Sequence, residues 1–257
     1  MALWRTAQQR REPIPFFAEM GSVNPVFVYA DALARDAQGL AQGLHASLTL
    51  GVGQFCTQPG LVFLADDDAG RAFAARLAEL VAATAPGQML SESIAAAYRG
   101  GVVARGATRG VATLAAATPK NDGARSGSAA LFATDAATWL ASPELSEELF
   151  GPSSLIVWCA STRDFAACAA ALHGQLTATV WGDAPDPDLL WALEQKAGRI
   201  VFNGFPTGVE LGGAMMHGGP FPATTDSRFT SVGLRAFQRF VRPLAWQTPA
   251  SAPGVRN

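Results

Sequence analysis

The chain has 257 residues, of which 49% are hydrophobic, and its formal net charge is −2. That is enough apolar material for one large domain or two small ones, and the nearly neutral charge predicts neither a nucleic-acid nor a membrane partner. Three cysteines, at positions 56, 159 and 168, form neither a disulfide framework nor a CxxC metal site. We therefore predict no metal and a reducing, cytoplasmic location.

Helix and strand patterns alternate along the chain. Apolar spacing predicts a helix over 2–11, a strand at 26–29 and a helix beginning at Asp31. The later predicted strands are 61–64, 111–114, 129–132, 155–159, 176–181 and 199–202, and the later predicted helices begin at 66–68 or span 91–99, 163–174 and 186–196. Such alternation predicts an α/β fold with parallel strands. A helix and an exposed strand are expected within 232–246, followed by a disordered tail.

The segment GVGQFCTQPG, residues 51–60, holds Cys56 in a glycine-rich turn. Gly51 and Gly53 tolerate backbone angles that are closed to other residues. A cysteine that serves only packing is more typical of a strand interior, so a cysteine in this turn is a candidate nucleophile. The alternative is a buried, inert thiol, which is the commoner case. Cys159, in a predicted strand, and Cys168, in a predicted helix, are expected in the core.

A cysteine nucleophile needs a base. Glu19 lies in PIPFFAEMGSVNP beside Phe17 and Met20. Desolvation by such neighbours would raise its pKa, which suits a general base near neutral pH. The alternative is a strand-end glutamate in water. His217, in MHGGPF, is interpreted as a hydrogen-bonded loop histidine rather than as a catalyst.

Four segments together resemble the aldehyde dehydrogenase superfamily. EMGSVNP is similar to the family's E-L-G-G-K-x-P motif and GQFCT to its G-Q-x-C motif, and the separation of the two residues, 56 − 19 = 37, is close to the family's. EELFGP at 147–152 resembles E-E-x-F-G-P, and GRIVFNG at 198–204 resembles the strand with the V-N signature. GQFCTQPG, NGFPTGVE and HGGPFPATTDSRFTSVG are most similar to 2,5-dioxovalerate (α-ketoglutaric semialdehyde) dehydrogenases.

The resemblance implies an aldehyde dehydrogenase-like catalytic domain with a mostly parallel sheet flanked by helices. It implies that Cys56 attacks an aldehyde, that hydride passes to NAD or NADP, and that Glu19 activates the water that hydrolyses the thioester. The backbone N–H of Cys56 would stabilise the oxyanion. Glu148 would bind a cofactor ribose, and Phe150 would pack near the nicotinamide.

The resemblance further implies 2,5-dioxovalerate as substrate and 2-oxoglutarate as product. The substrate carboxylate favours an arginine partner, and four are candidates: Arg99, Arg105, Arg199 and Arg228. Expected pocket walls, by position next to the motifs, are Phe55, Thr57, Phe205 and Phe221.

The family pattern divides the chain into a remnant of the cofactor-binding domain (1–20), a catalytic domain (21–222) and a last part with a returning helix, an oligomerisation strand and the tail (223–257). Most of the N-terminal cofactor-binding domain of the family has no counterpart here. We therefore expect a truncated form with little or no dehydrogenase turnover, an exposed apolar docking face and homo-oligomers.

Two other classes of function stay open. One is a non-catalytic scaffold or interaction subunit that keeps the fold, in which case a Cys56→Ala change would leave the biological role intact. The other is an acyl-transfer enzyme that uses Cys56 without a nicotinamide, which acyl-CoA turnover independent of NAD(P) would reveal.

Overall fold

A computed structural model describes residues 2–117, 123–208, 212–245 and 247. Its strands are β1 (Val26–Val28), β2 (Leu61–Ala65), β3 (Gly87–Gln88), β4 (Ala112–Ala116), β5 (Ser126–Gly127), β6 (Ala130–Asp135), β7 (Ser153–Cys159), β8 (Gln175–Trp181) and β9 (Ala197–Phe202). Its α-helices are α1 (Ala2–Gln8), α2 (Ala30–Thr49), α3 (Asp68–Ala82), α4 (Glu92–Ala107), α5 (Ala136–Ala141), α6 (Asp164–Ala171) and α7 (Pro187–Glu194). Short 3₁₀ turns occupy Leu50–Gly53, Pro143–Ser146 and Ala236–Phe240.

Seven of the strands form one sheet in the order β4-β6-β7-β2-β1-β8-β9. Every neighbouring pair is parallel except β4 and β6, which pair antiparallel at one edge. Strands β3 and β5 form a separate antiparallel ribbon. The predicted α/β fold with a mostly parallel sheet is confirmed.

Side chains of successive strand residues alternate between the two faces of the sheet. Phe27 and Phe63 point to one face and stack with ring centroids 4.5 Å apart, an aromatic contact worth about 1 kcal/mol beyond burial. Val26 and Val28 point to the other face. Helices α6 and α7 cover the first face and α2 and α3 the second, so both faces of the central strands are buried.

Helix α4 continues to Ala107, eight residues beyond its predicted end at 99. Two glycines, at 100 and 101, follow the predicted end directly, and glycine lowers helix propensity. Tertiary packing overrides that preference, because a Cβ on Gly101 would overlap the Leu149 side chain. Gly101 therefore lets Leu149 approach the helix backbone.

The last described segment differs from its prediction. Instead of a helix from Val232, the structure has the 3₁₀ turn Ala236–Phe240, and residues 241–245 belong to no strand. A strand requires a hydrogen-bonded neighbour, and residues 241–245 have none among the residues that the structure describes. Five of its large apolar side chains are exposed: Leu234, Phe237, Phe240, Val241 and Leu244. The predicted tail lies outside the described residues.

Among the described residues, no helix combines the length and the apolar composition that a membrane span requires.

Candidate active site

The candidate site lies at the amino-terminal edge of the parallel strands. Strands β7, β2, β1 and β8 are consecutive neighbours in the sheet, so the segments that enter them meet at that edge. These segments carry the EELFGP motif, the cysteine turn, the EMGSVNP motif and Gln175. Parallel pairing thus brings together motifs that are far apart in the sequence.

The cysteine turn contains three successive residues with left-handed backbone. Gly51, Val52 and Gly53 have φ values of 57°, 59° and 66°, which confirms the expectation that the glycines adopt angles closed to other residues. Val52 is β-branched and is a rare occupant of this region, at a cost of roughly 1–2 kcal/mol. Gly53 lies against the backbone of Gly151 and Pro152, so a Cβ there would overlap main-chain atoms. The backbone of the cysteine turn therefore packs directly against the backbone of the EELFGP motif.

A buried amide network fixes the peptide of Cys56. Asn24, at φ 45° and fully buried, donates from Nδ2 to the carbonyl oxygens of Cys56 and Gln58, both at 2.9 Å. Its Oδ1 accepts from the Ser22 hydroxyl at 2.9 Å, and the same hydroxyl also lies 3.0 Å from Oε1 of Gln175. Neither Asn24 nor Gln175 is among the site residues predicted from the sequence, although Asn24 lies inside the EMGSVNP motif.

His217 lies between the two predicted catalytic residues. Its Nε2 is 3.2 Å from Sγ of Cys56 and 3.4 Å from Oε2 of Glu19. Ser231 donates from Oγ to the same Glu19 oxygen at 2.8 Å, and the backbone N–H of His217 donates to Oγ1 of Thr230 at 2.8 Å. His217 is a hydrogen-bonded loop histidine, as interpreted, but its partners are the candidate nucleophile and base.

These contacts set the charge state of the site. Hydrogen bonding to Cys56 and then to Glu19 raises the pKa of His217 to about 9, so the imidazole is protonated near neutral pH. The hydrogen bond from His217 lowers the pKa of Glu19 and outweighs the opposing effect of burial. The expectation of a raised Glu19 pKa was wrong, because the cationic partner dominates over the apolar neighbours.

In contrast to Glu19, Glu148 has a raised pKa. Burial, with the nearby charge of Glu19, raises it to about 7. A Cβ on Gly21 would lie 3.2 Å from Oε2 of Glu148, so this carboxyl lies beside the segment that carries Glu19. Glu148, Gly21, Gln175 and Phe221 are among the residues that line a cavity of about 280 Å³.

The other predicted residues occupy varied environments. Phe55 and Phe150 are exposed, at 39% and 38%, whereas Thr57 is buried. Phe205 packs on Trp181 with ring centroids 5.1 Å apart, and Phe221 is exposed. Their assigned roles stay predictions.

The expected core positions of the other two thiols are confirmed, because Cys159 and Cys168 are fully buried with Sγ atoms 3.9 Å apart.

Of the four candidate arginines, Arg199 is the one whose pKa is influenced by Cys56. Burial lowers the pKa of Arg199, and the charge of Cys56 acts in the opposite direction. Its Nη atoms donate to the carbonyls of Gly208 and Pro206, while its buried Nε has no hydrogen-bond partner among the described residues. The other three arginines donate hydrogen bonds to other groups. Arg99 donates to the carbonyl oxygens of Ala124 and Ser126. Arg105 donates to the carbonyl oxygen of Glu147, and Arg228 donates to the carboxylate of Asp226.

The raised pKa of His217 predicts a loss of stability at alkaline pH. The folded state holds its proton up to about pH 9, whereas the ordinary value is 6.5. The stabilisation is therefore complete below pH 6.5 and is lost as the pH rises through 9, by an amount on the order of 2 kcal/mol. Urea unfolding monitored by tryptophan fluorescence at pH 6, 7.5 and 9 would measure it.

His217→Gln should flatten this part of the pH profile. His45 provides a control, because burial lowers its pKa, so His45→Gln should keep the alkaline loss. Parallel profiles for the wild type and His217→Gln would contradict the prediction.

Comparison with known proteins agrees with the motifs. The aldehyde dehydrogenase family model matches residues 5–220. The chain is 46% identical over 251 residues to alpha-ketoglutaric semialdehyde dehydrogenase 2 of Azospirillum brasilense and 42% identical over 252 residues to the alpha-ketoglutaric semialdehyde dehydrogenase of Acinetobacter baylyi. Each match covers 96% of this chain and 48% of the relative. The chain therefore spans about half the length of these curated relatives.

Solved structures share the fold at low sequence identity. An NAD-dependent aldehyde dehydrogenase from Sinorhizobium meliloti is 22% identical with a TM-score of 0.69, covering 90% of this chain and 47% of that one. A glyceraldehyde-3-phosphate dehydrogenase from Methanocaldococcus jannaschii, solved with NADP, is 16% identical with a TM-score of 0.70, covering 87% and 48%.

Proposed function

Because the chain belongs to the aldehyde dehydrogenase family, we propose that it carries the cysteine centre of an NAD(P)-dependent oxidation of 2,5-dioxovalerate to 2-oxoglutarate. The observation that supports this proposal best is the convergence of Sγ of Cys56, Nε2 of His217 and a carboxylate oxygen of Glu19 within 4.8 Å of one another. Two of these residues belong to family motifs. The named relatives supply the substrate class.

Cys56 is the nucleophile. Its sulfur bonds to the aldehyde carbon and the carbonyl π electrons move to oxygen, which becomes an oxyanion. The protonated imidazole of His217, with Nε2 3.2 Å from the sulfur, can hydrogen-bond to it before attack. The amide N–H of Cys56 makes no hydrogen bond within the described part of the chain, so it is free to donate to the oxyanion, and one such donor is worth about 10²–10³ in rate.

Glu19 and His217 together handle the proton of the hydrolytic water. Water attacks the thioester carbon, its proton passes to the Glu19–His217 pair, and the Cys56 sulfur leaves as the acid forms. The lowered pKa of Glu19 makes the isolated carboxylate a weak base, but its Oε2 lies 3.4 Å from Nε2 of His217, so the two groups can pass a proton between them. Ser231, bonded to Oε2 of Glu19, orients the carboxylate.

The cavity beside Glu148 fits one end of the cofactor. Its volume of about 280 Å³ can take the ribose beside Glu148, and the nicotinamide would lie outside it, because neither Phe150 nor Cys56 lines this cavity. Glu148 would hold the ribose by accepting from its hydroxyls, and Phe150, which is exposed, would pack against the nicotinamide. When bound, NAD(P) supplies the hydride acceptor.

Arg199 is our choice for the substrate carboxylate. It lies within electrostatic reach of Cys56, and its unpartnered Nε–H is a donor that a carboxylate satisfies. In an active enzyme, Arg199→Gln should raise KM for 2,5-dioxovalerate but not for an uncharged aldehyde such as pentanal. Arg228→Gln is the matched control, because Arg228 is paired with Asp226.

The decisive experiment compares two proteins. One is the 257-residue chain, and the other is this chain fused to the part of the Azospirillum brasilense relative that it does not match. Aldehyde-dependent reduction of NAD⁺ and of NADP⁺ is measured with 2,5-dioxovalerate. We expect turnover by the fusion and little or none by the chain alone. A folded fusion without turnover would refute the proposal.

Free thiols support a cytoplasmic location.

The exposed apolar side chains at 234–244 support a homo-oligomer. We also propose that the chain divides into a remnant of the cofactor-binding domain (1–20), a catalytic domain (21–222) and a C-terminal part (223–257), with oligomer contacts through 238–246. Sedimentation that shows a monomer at all concentrations would count against the oligomer.

The contact between His217 and Cys56 favours one of the alternative functions, acyl transfer without a nicotinamide, because a Cys–His pair suffices for thioester exchange. Acyl-CoA turnover by the chain alone, with no NAD(P) present, would establish it.

A further inference from the structure

Three potential metal ligand atoms of different elements lie close together in the candidate active site. Among the described residues, Glu19, Cys56 and His217 form the group of three potential metal ligands whose donor atoms all lie within 4.8 Å of one another. Within the group, Sγ of Cys56 is 3.2 Å from Nε2 of His217, which is 3.4 Å from Oε2 of Glu19. One sulfur, one nitrogen and one oxygen thus share a single volume.

Two of the three separations are close to those around tetrahedral zinc, and the third, between sulfur and oxygen, is within 4.8 Å. Zinc bonds of about 2.3 Å to sulfur and about 2.0–2.1 Å to nitrogen and oxygen put ligand atoms about 3.3–3.6 Å apart at tetrahedral angles. The sulfur and nitrogen therefore need to separate by only a few tenths of an ångström. The fourth position would remain open to water.

The surroundings hold these ligands in place. His217 is 97% buried on its side chain, with its backbone N–H bonded to Thr230. Ser231 donates to the Glu19 oxygen at 2.8 Å and so orients the carboxylate, as outer partners do around metal-bound carboxylates. The carbonyl of Cys56 is fixed by Asn24. The carboxylate and the backbone of both other ligands are therefore held in place, while the buried Nδ1 of His217 has no hydrogen-bond partner among the described residues.

The ligand set is selective. A thiolate with an imidazole suits Zn²⁺, whereas Mg²⁺ and Ca²⁺ prefer sites built from oxygen alone. The thiolate and the carboxylate carry two negative charges, which a divalent cation neutralises. The proton between the imidazole and its neighbours leaves to solvent when the metal takes its place.

We propose that Glu19, Cys56 and His217 bind one Zn²⁺ reversibly and that the bound metal inhibits the enzyme by taking the Cys56 thiolate as a ligand. The ion is an inhibitor at this site and takes no part in the proposed oxidation. Binding does not depend on aldehyde oxidation, so it can be tested on the 257-residue chain whether or not that chain turns over substrate.

Cobalt(II) and zinc(II) are the probes. Adding Co²⁺ should produce a thiolate-to-metal charge-transfer band and the visible absorption of tetrahedral cobalt, saturating at one ion per chain. Zn²⁺ should displace the cobalt, and millimolar Mg²⁺ should not. Zn²⁺ should also slow the alkylation of Cys56 by iodoacetamide, measured by peptide mass spectrometry, and a chelator should restore the rate.

Variants locate the ion. Cys56→Ser should remove the charge-transfer band, and His217→Gln and Glu19→Gln should each weaken zinc binding by at least about tenfold. Cys159→Ser and His45→Gln are matched controls and should bind like the wild type. Circular dichroism establishes that each variant is folded.

Three results would each overturn the proposal: no charge-transfer band in the wild-type chain, equal zinc binding by a folded Cys56→Ser, or zinc binding that leaves the alkylation rate of Cys56 unchanged. Loss of turnover in the fused enzyme together with intact zinc binding would count against the proposed function alone.

Discussion

Cys56→Ser is expected to lower kcat for 2,5-dioxovalerate in the fused enzyme by a factor on the order of 10⁴ or more. The site is arranged for sulfur, with the imidazole of His217 3.2 Å from Sγ. A serine hydroxyl at that position is a far weaker nucleophile at neutral pH, and the thioester cannot form without sulfur. Initial rates of NAD(P) reduction at saturating aldehyde would measure the loss.

Cys159→Ser is the control for Cys56→Ser. Cys159 is fully buried in β7, so its substitution should alter stability but leave kcat nearly unchanged in protein that remains folded. If Cys56→Ser kept activity within about tenfold of the wild type, a rate that uncatalysed chemistry cannot supply, the nucleophile would have to be a different group.

Gly53→Ala is expected to lower the free energy of unfolding by about 3 kcal/mol or more. At φ 66° an alanine costs roughly 1–2 kcal/mol in backbone strain alone. Its Cβ would also overlap the carbonyl carbon of Gly151 and the nitrogen of Pro152. Both are main-chain atoms, so no side chain can rotate away, and overpacking of this kind adds about 1–3 kcal/mol. Urea unfolding at pH 7 would measure the change.

Gly100→Ala is the matched control for Gly53→Ala. Gly100 lies within α4, and a Cβ there would meet nothing within 4 Å. Alanine should stabilise the helix by about 0.5–1 kcal/mol. If the two substitutions changed stability by the same amount, the close seating of the cysteine turn on the EELFGP motif would be contradicted.

Local patterns in the sequence predicted most of the fold. Strands such as Leu61–Ala65 consist of a short apolar run next to turn residues, and such runs between amphipathic helices indicate a parallel sheet. The left-handed turn at 51–53 also follows from local chemistry, since glycine stands at two of its three positions. These features depend on residues close together in the chain.

Features that depend on distant contacts were not predictable. His217 is 161 residues from Cys56 in the sequence, and no residue pattern around either position predicts that the imidazole contacts the sulfur. The sign of the Glu19 pKa shift followed from another contact of the same imidazole, the one with the Glu19 carboxylate. The same holds for α4, which continues past two glycines because Leu149 packs there. Propensity cannot anticipate such tertiary packing.

The separation of the site residues along the chain also bears on the order of folding. The contact between Ser231 and Glu19 closes a loop of 212 residues, and that between Cys56 and His217 closes one of 161. Closing such loops is entropically costly and slow. Cys159 and Cys168 are only nine residues apart and meet between β7 and α6. Pulsed alkylation during refolding should therefore find Cys159 and Cys168 shielded before the alkylation rate of Cys56 reaches the value that it has in the folded chain, so that the three cysteines of one chain report on an early and a late stage of its assembly.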